Sequence, residues 1–206
     1  MAKKARVYDG TAWQELASAQ TDLTAYSTTA QMNTAIAAVP KGLTLINTTS
    51  FSAVASQNIA NVFSATYDSY SIVFTFSGST SAKAAFRVSS SGSPITTSTY
   101  AFKTILSGTN SDSVLQTRSP STTYIEIGDI TSAATSGYVG GSMTVSNPFT
   151  ANRTGIAGVC NSATTGDVFL SVFGGVNTNN TSYDGFALTC STGTITGSVS
   201  VYGYSK

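Results

Sequence analysis

Between residues 51 and 76 the chain reads FSAVASQNIANVFSATYDSYSIVFTF, and its second half alternates strictly. Tyr70, Ile72, Phe74 and Phe76 occupy every other position, with Ser71 and Thr75 between them and Val73 the one large apolar residue on the opposite side. Period two places four large apolar side chains on one face of a strand and leaves the other face mostly hydroxylated. The pattern therefore predicts a strand buried on one side. Tyr67, Asp68 and Ser69 precede it and predict a turn, because Asp and Ser side chains compete for their own backbone.

Similar runs recur between clusters of Gly, Ser, Asn and Pro: residues 43–46, 51–59, 84–88, 100–106, 124–130, 138–145, 156–160, 168–176, 183–190 and 195–204. About ten short strands at this spacing predict a two-sheet sandwich or a closed barrel. In the last run Ile195, Gly197, Val199, Val201 and Gly203 share one face while Ser198, Ser200, Tyr202 and Tyr204 share the other. Both faces can make contacts, so a central or interface strand is expected. Residues 89–93, 107–113 and 177–182 are dense in turn-forming residues and are expected as exposed tips.

One segment carries helical spacing. Thr28 and Gln31 have the separation of a capping box, and Met32, Ile36 and Val39 follow at intervals of four and three, so they share a stripe. Pro40 and Gly42 end it. About three turns are too short to stand alone in water. The stripe must pack, either on the β body or in a short parallel bundle around a threefold axis. Upstream, RVYDGTAWQEL from Arg6 predicts a hairpin with a two-residue Asp9-Gly10 turn and Trp13 on the return arm. An isolated hairpin is marginal, so Tyr8, Trp13 and Leu16 need a partner surface. The organisation expected is a hairpin over residues 1–20, a helical linker over 21–41 and a β-sandwich body over 42–206.

Composition narrows the functions available. Charged residues are 9% of the 206, apolar residues 41%, and Phe and Tyr number ten each. That aromatic content is too high for disorder. The net charge of +1 lacks the clustered cationic surface that phosphate binding needs, so no nucleic-acid partner is expected. Lys3, Lys4 and Arg6 cluster near the start, as a contact for an acidic neighbour or as a solvated terminus. No apolar run approaches a membrane span or a signal-peptide core, and assembly in the cytoplasm is expected.

The sequence contains no His, which removes the usual general base and the commonest metal ligand. Glu126 and Asp129 lie three apart on an expected strand, hence on opposite faces, and without a bulge they cannot form the facing carboxyl pair of a glycosidase. No catalytic residue, cofactor or metal is assigned. Cys160 and Cys190 match no zinc or redox spacing and are either a cross-strand disulfide or two buried thiols. Asn177, Asn179, Asn180 and Asp184 offer oxygens that suit calcium or sugar hydroxyls, and turn chemistry accounts for the same residues.

Three segments carry a resemblance. DLTAYSTTAQMNTAI (residues 22–36) resembles the DLSxYATxxxLN linkers of tail-fibre and other structural proteins of tailed bacteriophages. The block of residues 50–79 together with GTITGSVSVYGYSK (193–206) is similar to the compact C-terminal β-sandwich, jelly-roll-like, of many phage virion proteins, and KARVYDGTAWQELA (4–17) resembles their short N-terminal module. The resemblance implies a homotrimer on the virion exterior, held to the major capsid protein or a tail protein by Tyr8, Trp13 and Leu16. In it Met32, Ile36 and Val39 would form the seam between subunits. One short helix and no internal repeat favour a squat knob that decorates or cements the capsid. The alternatives are a short receptor-binding fibre, with Asn177, Asn179, Asn180 and Tyr183 touching a host glycan, and a free-standing carbohydrate-binding module.

Overall fold

The computed structural model describes residues 6–15, 28–38, 42–109, 114–130, 137–163 and 168–205. The chain divides into two compact units, residues 1–40 and 41–206.

In the first unit β1 (Arg6–Tyr8) and β2 (Trp13–Glu15) pair antiparallel, with Tyr8 opposite Trp13. Residues 9–12 form the connection, so it is a four-residue loop in place of the expected two-residue turn. The cause is the Asp9 carboxylate: its Oδ1 accepts from Thr11 N, Ala12 N and the Thr11 hydroxyl at 2.8–2.9 Å, while Asp9 N donates to Ala12 O. An Asx turn wins because three donors converge on one oxygen. Helix α1 (Thr29–Ala38) opens with the expected reciprocal cap. Thr28 N donates to Gln31 Oε1 at 2.7 Å, and Gln31 N donates to Thr28 Oγ1 at 3.2 Å, satisfying two otherwise orphaned amides.

The second unit is an antiparallel β-sandwich. Its larger sheet has the order β3 (Leu43–Val54), β15 (Ile195–Tyr204), β5 (Ser69–Gly78), β11 (Tyr138–Ser146), β12 (Thr154–Ala163), β13 (Val168–Asn177), β8 (Tyr100–Gly108) and β9 (Val114–Thr122). The smaller runs β10 (Ile125–Ile130), β6 (Ala82–Ser90), β14 (Gly185–Cys190) and β4 (Ser56–Ile59), with the two-residue β7 (Ser93–Pro94) pairing onto β6. Eight strands therefore face five, a more unequal division than the eight strands of a jelly roll. The expected mostly-β sandwich is the fold observed.

Tyr70, Ile72, Phe74 and Phe76 all point into the core and are essentially buried, as the alternation of β5 requires. Opposite them Phe86 and Phe186 stack with ring centroids 5.4 Å apart, and Phe63 stacks on Phe186 at 5.8 Å. Each such ring taken from water contributes about 1.5–3 kcal/mol. Strand β15 lies between β3 and β5, the central place its two faces predict.

Two buried tyrosines anchor loops through their phenols. Tyr70 Oη accepts from Ser64 N at 2.7 Å and donates to Ser64 O at 2.9 Å. Tyr100 Oη accepts from Val88 N and donates to Ile95 O, both at 3.1 Å. Burial raises the Tyr100 phenol well above the ordinary tyrosine value, so it stays a donor.

Strand β9 escapes the alternation pattern. It sits at the sheet edge, mostly exposed, and contains Pro120, which only an edge or bulge tolerates. Strand β3 also runs straight through Asn47–Ser50, residues that read as a break, because β15 supplies its ladder through a register shift at Val201/Tyr202.

Candidate interaction surfaces

The hairpin presents its aromatics outward. Trp13 is 67% exposed and Tyr8 52%, their rings packed on each other at 5.4 Å. On α1 Met32 and Ile36 are exposed as well, Ile36 at 63%. Leu16 and Val39 lie outside the described residues.

The loop expected to contact a glycan keeps its tip exposed at Thr178, Asn180, Thr181 and Ser182, but the side chains at its two ends turn inward. Asn177 and Tyr183 are buried, and their side chains hold the loop together: Tyr183 Oη donates to Asn177 Oδ1 at 3.0 Å, Asn179 N donates to the same oxygen at 3.0 Å, and Asn177 Nδ2 donates to Thr99 Oγ1 at 3.1 Å. Burial pushes the Tyr183 phenol up, keeping it protonated for that bond. Asn179 is half-buried, and of the four candidates only Asn180 is exposed. Asn177 and Tyr183 are thus corrected from contact residues to structural ones, since their polar atoms are spent inside. The 89–93 tip is tighter than expected: Ser91 and Gly92 at φ 51° and 76° close a two-residue turn between β6 and β7, and Ser89 is fully buried.

Glu126 and Asp129 share a face after all. A bulge between Glu126 and Gly128 adds Ile127 to β10, so that Asp129 falls opposite Lys83 on the outer side. The Lys83 ammonium bridges both carboxylates, pairing with Asp129 and lying 3.4 Å from Glu126 Oε1. Burial alone would lower the Lys83 pKa, but the hydrogen bond and charge of Asp129, with Glu126 adding to them, outweigh it and hold the value above the ordinary lysine range. Two carboxylates therefore share one cation. Beside them Arg87 Nε donates to Thr123 O at 2.9 Å, with its guanidinium 5.9 Å above the Tyr124 ring.

Cys160 and Cys190 are both free thiols. Cys160 is buried, which lifts its thiol to about 11 against a smaller opposing effect of a hydrogen bond from Ser171. Cys190 is half-buried and donates to Gly193 O at 3.4 Å. Among the described residues no three His, Cys, Asp or Glu side chains gather as a metal site, and no helix is long and apolar enough to cross a membrane.

The two sheets differ in their outer faces. The smaller carries Lys83, Arg87, Glu126 and Asp129. The six consecutive strands β3, β15, β5, β11, β12 and β13 of the larger contain no charged residue. Val73, Val159 and Val172 are nonetheless 45–48% exposed there. The alternating pattern alone does not mark this face, although its signal is in the chain: residues 130–152, 168–183 and 185–205 contain no Asp, Glu, Lys or Arg.

These features define an antiparallel β-sandwich with an uncharged outer face, and a separate hairpin with exposed aromatics. Comparisons with protein-family models, curated proteins and solved structures find no match.

Proposed function

We propose that this chain is a non-enzymatic structural protein of a tailed-bacteriophage virion, a homotrimeric exterior knob that decorates or cements the capsid. The observation that carries the reading is the Tyr8–Trp13 pair, two packed and exposed aromatic rings on a hairpin in a unit separate from the sandwich. Large aromatics supply most of the energy of protein contacts, and a tilted pair held by a tight Asx turn loses little freedom on docking. The linker and sandwich segments that resemble phage virion proteins support the same assignment. The exposed Met32 and Ile36 stripe on α1 supports its subunit seam.

On this reading cementing is done by binding energy. A knob that bridges neighbouring capsid subunits adds interface that must be lost before the shell opens. The N-terminal hairpin attaches, the helix gathers the copies and the sandwiches project.

The experiment is immunoelectron microscopy of virions with antibody to residues 43–206, repeated with Trp13→Ala. Label over the head that disappears in the variant, with the sandwich still folded by circular dichroism, is the expected result. Label confined to the tail would replace decoration with receptor binding. Unchanged occupancy by the variant would remove the hairpin from attachment.

A further inference from the structure

Antiparallel sheets commonly bury one face and solvate the other, and the solvated face is normally polar. The outer face of the eight-stranded sheet departs from this along one line. Cross-strand register aligns Ile105, Val172, Val159 and Val73 in a row broken only by Ser142. All four are exposed. The next row runs Lys103, Gly174, Ala157, Thr144 and Ser71, small from Gly174 onward, so beside the apolar ridge lies a shallow trough closed at one end by Lys103.

The glycine in that trough has no reason inside the fold. At Gly158, which faces the core, an added Cβ would lie 2.4 Å from Ser142 O and 2.6 Å from the Phe173 ring, so packing forbids a side chain. At Gly174 the nearest atom to an added Cβ is Ile156 O at 3.8 Å, and at Gly155 nothing lies within 4 Å. Glycine in a strand interior weakens the strand, and a common use of it is close approach by another backbone.

We propose that this face is the surface through which one sandwich packs on the sandwich of a second copy of the chain, the ridge of one seated in the trough of the other. Charge and area both select a second copy. Six contiguous strands without a charge present nothing to repel an identical face, whereas Lys103 and Arg118, paired across β8 and β9, lie at its margin as a charged rim. Six strands at about 4.8 Å spacing and about nine residues at about 3.3 Å each cover roughly 850 Å². A stable protein contact needs roughly 800 Å² per partner. A whole face packed on its twin is a self-complementary contact with twofold symmetry, so it pairs sandwiches two by two and goes beyond the homotrimer proposed above, on which it rests for neither location nor stoichiometry.

The test is sedimentation velocity of the full chain at tens of micromolar, as wild type, as Ile36→Asp to remove the helix stripe, and as Ile36→Asp carrying Gly174→Val or Val159→Asp. The expected result is that the Ile36→Asp chain still associates and that either added substitution weakens association by at least about tenfold. At a dilution where every variant is monomeric, so that no lost contact enters, Gly174→Val should leave the thermal midpoint unchanged or raised, since β-branched residues favour strands. A purely structural glycine would instead lower the midpoint and leave association alone, which would overturn the proposal. A monomeric Ile36→Asp chain would also overturn it while leaving a helix-borne homotrimer standing. A wild-type monomer would overturn both and leave the face to a different protein.

Discussion

Gly128 and Cys160 meet across the sandwich: the Cys160 thiol donates to the carbonyl of the neighbouring Ile127 at 3.0 Å, and a Cβ on residue 128 would lie 2.5 Å from the Cys160 sulfur. At φ +155° residue 128 occupies backbone space that side chains rarely adopt. This pair seats the bulge that carries Asp129 to the outer face.

Gly128→Ala is therefore expected to destabilise the sandwich by about 2–4 kcal/mol, through backbone strain and the clash with sulfur together. Urea unfolding measures it. Cys160→Ala in the same chain should recover part of the loss, because the clash disappears while the strain remains. Strict additivity of the two substitutions would show that they do not interact.

The thiols should be distinguishable in the native protein. With its pKa raised to about 11 by burial, Cys160 presents on the order of one thiolate in a thousand at pH 8. Iodoacetamide labelling followed by peptide mass analysis should modify Cys190 first and Cys160 only when denaturant is added. Equal native rates at the two positions would contradict the packing described for Cys160.

Lys83→Gln removes the cation from the buried Glu126, which is 6% exposed. A cost of about 1–2 kcal/mol is expected at neutral pH, kept small because the Lys83 side chain is 44% exposed and screened by solvent. A lysine whose pKa is raised on folding contributes fully below the unfolded value near 10.4, and that contribution is lost as pH rises through the higher folded value. Urea titrations of wild type and variant should thus differ at pH 7 and converge at strongly alkaline pH. A gap that persisted there would point to packing of the lysine stem.

How far the chain could be read depends on the range of the interaction concerned. The β5 face, the central place of β15 and the Thr28–Gln31 cap were all legible, since each follows from side-chain period or from groups three residues apart. Sequence patterning by itself thus determined a mostly-β body, sandwich or barrel, with one capped helix, and the division into two separate sheets came from the strand order. Only tertiary structure decided the rest. Asn177 and Tyr183 resemble an exposed polar loop until Thr99, distant in sequence, brings a partner to Asn177 and the pair closes inward. Asp129 changes face because Ile127 finds the Cys160 thiol on another sheet, and no local spacing encodes that meeting. The uncharged segments were visible separately, but their union into one face came from strand order, since β15 and β5 become neighbours only when residues more than a hundred apart are paired by the sheet.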